Sequence, residues 1–188
     1  MHNEQINSGD ICSASVGRGA GLNEGVEMHG SYHVVCHDKE GNVRWEEDIK
    51  NLVTTIGKNL TVDTVLGNSA AGAVVMGLKG TGTAVVADTQ ASHAGWSEVG
   101  SANAPAYSGT RKTPTFSAAS AGAKVTSTPV VFTMTSSGTV AGCFVNIGGS
   151  SAIDNTSGTL FSAGDFTAGS KTVSATDTLS VTYTATAA

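Results

Sequence analysis

Two short groups of residues have side chains that could support chemistry, and the first combines histidine with cysteine. His33, Cys36 and His37 lie within five positions, and these residue types are common metal ligands. On an extended strand, however, His33 and His37 share one face while Cys36 points to the other. A structural zinc site also needs about four ligands, and the neighbouring sequence offers no second cluster. The sequence therefore predicts no metal site, and surface or pairing roles for the two histidines.

The second group has the residue types of a hydrolase triad. Asp88, Ser92 and His93 lie in one short stretch, whereas triad members come from separate segments that the fold brings together. The chain also lacks the G-x-S-x-G turn that carries many serine nucleophiles. We therefore expect no catalytic residue here. We interpret His93 and Trp96 as anchors of a loop, because a tryptophan buries a large area while its N–H takes one partner.

A run of acids, Glu46, Glu47 and Asp48, supplies the paired carboxylates that a glycosidase requires. Adjacent acids on a hairpin strand usually form a solvated edge, and aromatic residues that would line a sugar subsite make up only 5% of the chain. Trp45, which precedes the run, is interpreted as a third loop anchor. We predict that the protein is not an enzyme and that it has no cofactor.

Composition and charge limit the partners. At 188 residues the chain is long enough for one domain of ordinary size. Its net charge of −5 argues against a nucleic-acid partner, which basic residues would have to neutralise. No apolar stretch approaches the ~20 residues that span a bilayer, so no membrane partner is expected. The start of the chain lacks the features of a signal peptide.

The three cysteines are scattered along the chain. Cys12, Cys36 and Cys143 do not have the spacing of metal ligands, and we interpret them as free thiols in a reducing cytoplasm.

Residues 1–29 are polar and rich in glycine, and their few apolar residues follow neither a helical nor an alternating period. This pattern predicts an extended N-terminal arm. The arm is either a disordered tail or a segment that becomes ordered when it lies along a partner. Under the second interpretation its apolar side chains are the candidate contacts with that partner. These residues are Ile6, Ile11, Val16, Leu22 and Val26.

Residues 30–188 are predicted to form one β-rich domain. Ser31–Cys36 and Val43–Trp45 flank turn residues at 38–42 and indicate a β-hairpin. The following residues, 49–56, fit a helix or a strand almost equally well. One short helix is predicted from Lys58 to Leu66, after the potential helix breaker Gly57.

The remaining apolar runs are short and bounded by glycine, and the last of them alternates clearly. Leu179, Val181 and Tyr183 fall on one face of that predicted strand. This spacing of strands and turns indicates a mainly β fold, an antiparallel β-sandwich or jelly-roll-like domain.

Five segments, taken in order, resemble the conserved stretches of a family of structural proteins from the virions of tailed bacteriophages. They are the segments at 38–59 (DKEGNVRWEEDIKNLVTTIGKN), 87–98 (ADTQASHAGWSE), 110–122 (TRKTPTFSAASAG), 158–173 (GTLFSAGDFTAGSKTV) and 177–184 (DTLSVTYT). The resemblance covers residues 30–188. It implies a capsid decoration, or cement, protein that binds the major capsid protein, and it implies no catalytic residues.

The leading hypothesis is therefore a homo-oligomer, a trimer or dimer, on the outer capsid surface of the virion. It would be synthesised in the cytoplasm of the bacterial host and would stabilise the mature head by binding only the assembled shell. In this case the apolar arm residues contact the capsid or another subunit. An alternative, motivated by the Ser/Thr/Gly-rich loops, is a receptor- or glycan-binding module of a head or tail fibre. A virion hydrolase would require a pair of buried acids that the sequence does not reveal.

Overall fold

The computed structural model describes residues 26–67, 70–100 and 105–188. Within these ranges the chain forms eleven strands and one helix. The strands are β1 (Met28–His37), β2 (Val43–Val53), β3 (Val74–Gly82), β4 (Trp96–Glu98), β5 (Ala123–Val125), β6 (Val130–Thr133), β7 (Gly138–Val140), β8 (Gly142–Ile147), β9 (Thr159–Asp165), β10 (Lys171–Val173) and β11 (Thr178–Ala187). The helix α1 spans Thr55–Val65. The predicted mainly β fold with one short helix is confirmed.

Nine strands form one antiparallel sheet in the order β4-β3-β8-β9-β2-β1-β11-β5, and β6 also pairs with β11. The edge strands β4 and β5 have three residues each. A second sheet consists of β7 and β10. Met76 and Leu78 on β3, near one end of the strand order, share a core with Phe132 on β6, near the other. The sheet therefore folds over itself, and its two halves enclose the core in a sandwich-like arrangement.

The predicted hairpin and the alternating C-terminal strand are both present. β1 pairs with β2 on one side and with β11 on the other. Leu179, Val181 and Tyr183 are buried, as their alternation predicted. The rings of Tyr32 and Tyr183 lie 4.8 Å apart, and both hydroxyls contact Ser162 Oγ on β9, at 2.9 and 3.3 Å. The three hydroxyl groups thus form hydrogen bonds with one another in the buried core.

The ordered backbone pairing starts before residue 30. β1 starts at Met28, and before it the backbone N–H of Glu27 donates to the carbonyl of Ala188 at 2.7 Å. The reciprocal bond, from Ala188 N–H to the Glu27 carbonyl, is 3.0 Å long. Val26 precedes this pair and is 78% exposed. The other four apolar residues of the predicted arm lie outside the described ranges.

A smaller apolar cluster lies on the opposite face of the strands β3, β8 and β9. Trp96, Phe144, Leu160 and Ala163 form it, and Ile56 of α1 packs against it. Both faces of these strands are consequently covered, which explains why β8 is buried along almost its whole length.

The helix begins three residues before the predicted position, and the interpretation of Gly57 as a breaker was wrong. Thr54 caps the helix by accepting a hydrogen bond from Gly57 N–H at 3.0 Å. A Cβ atom at residue 57 would lie 2.4 Å from the carbonyl oxygen of Phe161 on β9. Glycine is therefore required for the close approach of helix to sheet, and not for a turn.

This contact predicts that Gly57→Ala destabilises the domain. The added methyl group meets backbone atoms that cannot rotate away, and overpacking of this kind costs about 1–3 kcal/mol. Urea unfolding followed by circular dichroism measures the loss. Lys58→Ala, on the exposed face of the same helical turn, is the matched control and should change stability by less than about 0.5 kcal/mol. Equal stability of the two variants would contradict this account of Gly57.

Candidate functional site

Among the ion pairs of the described residues, the one between Arg111 and Glu98 is the most deeply buried. Arg111 Nε donates to Glu98 Oε1 at 2.8 Å, and Arg111 Nη2 donates to Glu98 Oε2 at 2.6 Å. The two side chains are 0% and 2% exposed. The guanidinium also lies over the ring of Phe144, 5.4 Å from its centroid. This bidentate geometry fixes both side chains in a single orientation.

The same ion pair holds the loop at residues 150–155 against the sheet. Arg111 donates from Nη1 to the carbonyl of Ser150 at 3.2 Å and from Nη2 to that of Asn155 at 2.8 Å. Glu98 Oε2 accepts a hydrogen bond from the backbone N–H of Asp154 at 3.0 Å. Asp154 has a left-handed backbone, with φ of 60°. The loop conformation therefore depends on the charges beneath it.

An open cleft of about 400 Å³ lies between this loop and the segment before β4. Its lining side chains are mostly polar. The lining residues are Gln90, Ala91, Ser92, His93, Ala94, Trp96, Ser97, Glu98, Asp154 and Thr156. Gln90 is nearly fully buried, with its Oε1 accepting from Asn146 Nδ2 at 2.8 Å and its Nε2 donating to the Asn155 carbonyl at 3.3 Å.

His93 and Trp96 form one wall of the cleft. Their rings are stacked with centroids 4.0 Å apart and 20° between the planes. The Trp96 indole N–H donates to Asp88 Oδ2 at 2.9 Å, and the same oxygen accepts the backbone N–H of Val85 at 2.9 Å. His93 Nδ1 lies 3.1 Å from the Trp96 carbonyl oxygen. Within the triad-like group, the Asp88 carboxylate thus binds Trp96 and Val85, while His93 binds backbone.

Trp45 lies within strand β2 and not in a loop. Its indole N–H donates to the carbonyl of Thr172 on β10 at 3.0 Å. Its ring makes an edge contact with Phe166, with centroids 5.5 Å apart. Trp45 therefore connects the large sheet to the small one.

On β1, His33 and His37 do not share a face with Cys36, as the alternation of side chains along a strand requires. Cys36 is buried, whereas His33 is partly exposed and its Nδ1 contacts Asp48 Oδ1 across the hairpin at 2.9 Å. Over residues 26–67, 70–100 and 105–188, no three His, Cys, Asp or Glu side chains could hold a metal ion.

Cys36 and Cys143 are free and buried thiols. Burial, followed by the charge of Asp177, raises the pKa of Cys36 to about 12. Burial also raises the pKa of Cys143 well above its ordinary value. Both groups are therefore protonated and poorly nucleophilic at neutral pH. Cys12 lies outside the described ranges.

The acidic run is only partly a solvated edge. Glu46 and Asp48 are exposed, but the Glu47 side chain is 8% exposed and its Oε2 lies 2.6 Å from Lys171 Nζ. Glu47 Oε1 also accepts hydrogen bonds from Thr167 Oγ1 and from the backbone N–H of Ala168. The prediction for Glu47 was wrong because residues 167–171, which follow β9, lie against its side chain and bind both carboxylate oxygens.

Sequence reasoning missed the residues that build the cleft: Glu98, Arg111, Gln90 and Asp154. In the sequence, Arg111 is notable only because a second basic residue, Lys112, follows it. A signal did exist, since Glu98 and Arg111 each lie in one of the segments that carry the family resemblance. Their pairing was not visible, because it is set by the fold.

Comparisons with protein-family models, with curated proteins and with solved structures give no match to this chain. In the part of the chain that the structure describes, no helix has the length and apolar character needed to cross a membrane.

The ion pair predicts a large effect of Arg111→Met. The substitution leaves the Glu98 carboxylate buried and unpaired, which costs about 3–5 kcal/mol of unfolding free energy. Urea unfolding measures this loss. Lys112→Met, the same substitution at the next residue, removes a partly exposed cation that binds the Ser108 carbonyl and lies 5.7 Å from the centroid of the Tyr107 ring, and it should cost about 1 kcal/mol or less. Similar losses in both variants would refute the structural role of the pair.

Glu47 predicts a specific dependence of stability on pH. Burial raises the pKa of this carboxyl, but hydrogen bonds from Lys171, Thr167 and Ala168 outweigh burial and lower it to about 2. An unfolded glutamate has a pKa of about 4.3, so the stabilisation is complete above that pH and is lost as the pH falls toward 2.

Glu47→Gln should therefore be less stable than the native chain near pH 7, and the difference should shrink as the pH falls from about 4.3 to about 2. Thermal unfolding at a series of pH values measures it. Glu46→Gln, at the exposed neighbouring position, is the control. A stability difference for Glu47→Gln that is constant across this range would contradict the predicted pKa.

Proposed function

We propose that this chain is a capsid decoration protein that binds the outer surface of the major capsid protein shell and stabilises the mature head. The observation that carries the proposal is an exposed aliphatic surface on α1. The sequence resemblance over residues 30–188 supports the same function.

The exposed surface consists of Val62, Val65 and Leu66, which we call the α1 patch. Their exposed fractions are 56%, 77% and 78%. Ile56 and Gly57, on the opposite side of the helix, contact the sheet, so the α1 patch faces away from the domain. Burial of such side chains against a partner contributes about 1.5–3 kcal/mol each.

A shallow apolar groove lies beside the α1 patch. It has a volume of about 160 Å³. Its lining residues are Leu60, Thr61, Thr64, Val65, Ala71 and Ile147. The groove offers a recess for an apolar side chain of the shell next to the protruding aliphatic residues, and an apolar centre of this kind supports a protein–protein contact.

The described chain starts at the same end of the sheet as α1. Ser31 lies opposite Lys50 in the antiparallel pairing of β1 and β2, so the start of β1 is next to the end of β2. β2 ends at Val53, and Thr54 then caps α1. The N-terminal end of α1 therefore lies close to the start of the described chain, while the α1 patch lies at the C-terminal end of the helix.

Stabilisation of the head follows from mass action. A protein that binds the assembled shell and not its separated subunits shifts the equilibrium toward the shell. A patch of three aliphatic residues gives a modest affinity for one copy. Oligomerisation, as a dimer or trimer, would add avidity because several patches bind one symmetric surface together.

The proposal is tested by the copy number of the chain in purified virus particles, measured by mass spectrometry relative to the major capsid protein. We expect about one copy per capsid subunit, the stoichiometry of a protein that covers the shell. A few copies per particle would instead support a fibre or neck component. Absence from particles would refute the proposal.

The contact surface predicts the effect of the triple variant Val62→Gln, Val65→Gln and Leu66→Gln. Glutamine keeps the helix propensity but removes the apolar surface, so shell occupancy should fall at least tenfold while the thermal unfolding midpoint changes little. The matched control is Val43→Gln with Val131→Gln, which changes exposed valines on β2 and β6. Unchanged occupancy of the triple variant would exclude the α1 patch as the contact.

A further inference from the structure

We propose that the cleft between residues 90–97 and 154–156 binds a neutral saccharide. This inference is separate from the capsid proposal and uses a different surface. The cleft volume of about 400 Å³ falls within the range of about 300–1,000 Å³ that small-molecule sites occupy. A recess of about 190 Å³ deepens it and is lined by Gln90, His93, Glu98, Asp154, Asn155 and Thr156.

The cleft is rigid at its base. Gln90 and Glu98 are 1% and 3% exposed, and each is bound to both sides of the cleft. Gln90 links Asn146 on β8 to the Asn155 carbonyl, while Glu98 links Arg111 to the backbone of Asp154. A ligand would therefore not have to order these groups on binding, which reduces the entropic cost of the complex.

The charges of Glu98 and Arg111 at the base of the cleft balance each other, and the Asp154 carboxylate, which also lines the cleft, adds negative charge, so an anionic ligand is disfavoured. The Glu98 carboxylate is bound by the Arg111 guanidinium through two hydrogen bonds. Two further donors of Arg111 are directed to the Ser150 and Asn155 carbonyls. The residues that line the cleft include no lysine or arginine, so a phosphate or sulfate would lack a cation.

His93 offers the cleft a defined hydrogen-bond acceptor. The carbonyl oxygen of Trp96 can only accept, so His93 Nδ1 carries the proton that lies between them. In the neutral imidazole, Nε2 then has a lone pair available to a ligand hydroxyl. Trp96 covers one face of the imidazole, and the ring is partly exposed where it lines the cleft.

The rest of the lining completes the chemistry of a sugar site. Ser92, Ser97 and Thr156 add hydroxyl groups that can both donate and accept. A sugar ring has the same mixture, with hydroxyls around its edge and an apolar face of C–H groups that can lie on a flat ring. A cleft with one ring face, one imidazole acceptor and several hydroxyls therefore matches a monosaccharide or the end of a longer glycan.

The experiment is a nuclear magnetic resonance titration of the full-length, ¹⁵N-labelled protein. The probes are glucose, galactose, mannose, rhamnose, N-acetylglucosamine and N-acetylgalactosamine, each added to about 50 mM, which detects a Kd near 1 mM. We expect at least one sugar to give saturable amide shifts that are concentrated in residues 90–97 and 154–156. If no sugar in the panel does so, the proposal is overturned. Saturable shifts with sodium sulfate in place of sugars would overturn the assignment of a neutral ligand.

Two variants test the assigned groups. His93→Ala removes the acceptor and the ring face, and Thr156→Val removes one hydroxyl at an exposed position with little change of shape. We expect His93→Ala to weaken the sugar at least tenfold and Thr156→Val severalfold. His33→Ala, which changes a histidine on β1, should leave sugar binding unchanged. Native affinity in both cleft variants would refute the site, and shell occupancy of these variants, measured separately, should match that of the unmodified chain.

Discussion

Removing a guanidinium and a carboxylate from water costs free energy, which interactions inside the protein must offset. Arg111 and Glu98 offset it by their bidentate hydrogen bonding. Two parallel hydrogen bonds join them, and each has further partners in the loop at 150–155. The conformation of that loop, the position of β4 at the edge of the sheet and the shape of the cleft all depend on this pair. An apolar pair of similar volume could fill the space, but it would not hold the backbone of Asp154 or Asn155.

The small side chains of this sequence have a second role beyond their modest apolar area. At Gly57 the helix reaches the backbone of β9, and at Gly77 the ring of Phe144 lies where a Cβ atom would be, 2.4 Å away. Close approach of this kind lets β3, β8 and β9 be covered on both faces although aromatic residues are few. The scarcity of aromatic residues is thus offset by two layers of packing on the same strands, while α1 keeps one exposed face.

The sequence predicted those parts of the fold that depend on local patterns. The β1–β2 hairpin and the alternating strand β11 follow from turn residues and from the two-residue period, which are properties of short segments. The start of α1 was misplaced because the role of Gly57 depends on Phe161, far along the chain. Glu47 was misjudged for the same reason, since its partner Lys171 belongs to the second sheet. The pairing of Glu98 with Arg111 was not predictable either, because charge type alone does not identify a partner.

The strand order also determines how copies of this domain can behave when they are crowded. Its terminal strands, β4 and β5, have three residues each, so a neighbouring molecule finds few unpaired backbone groups to extend the sheet. Lateral strand addition is the usual route from a β-rich protein to a fibril. Edges as short as these disfavour strand addition where copies of the domain are crowded, and leave association to side chains.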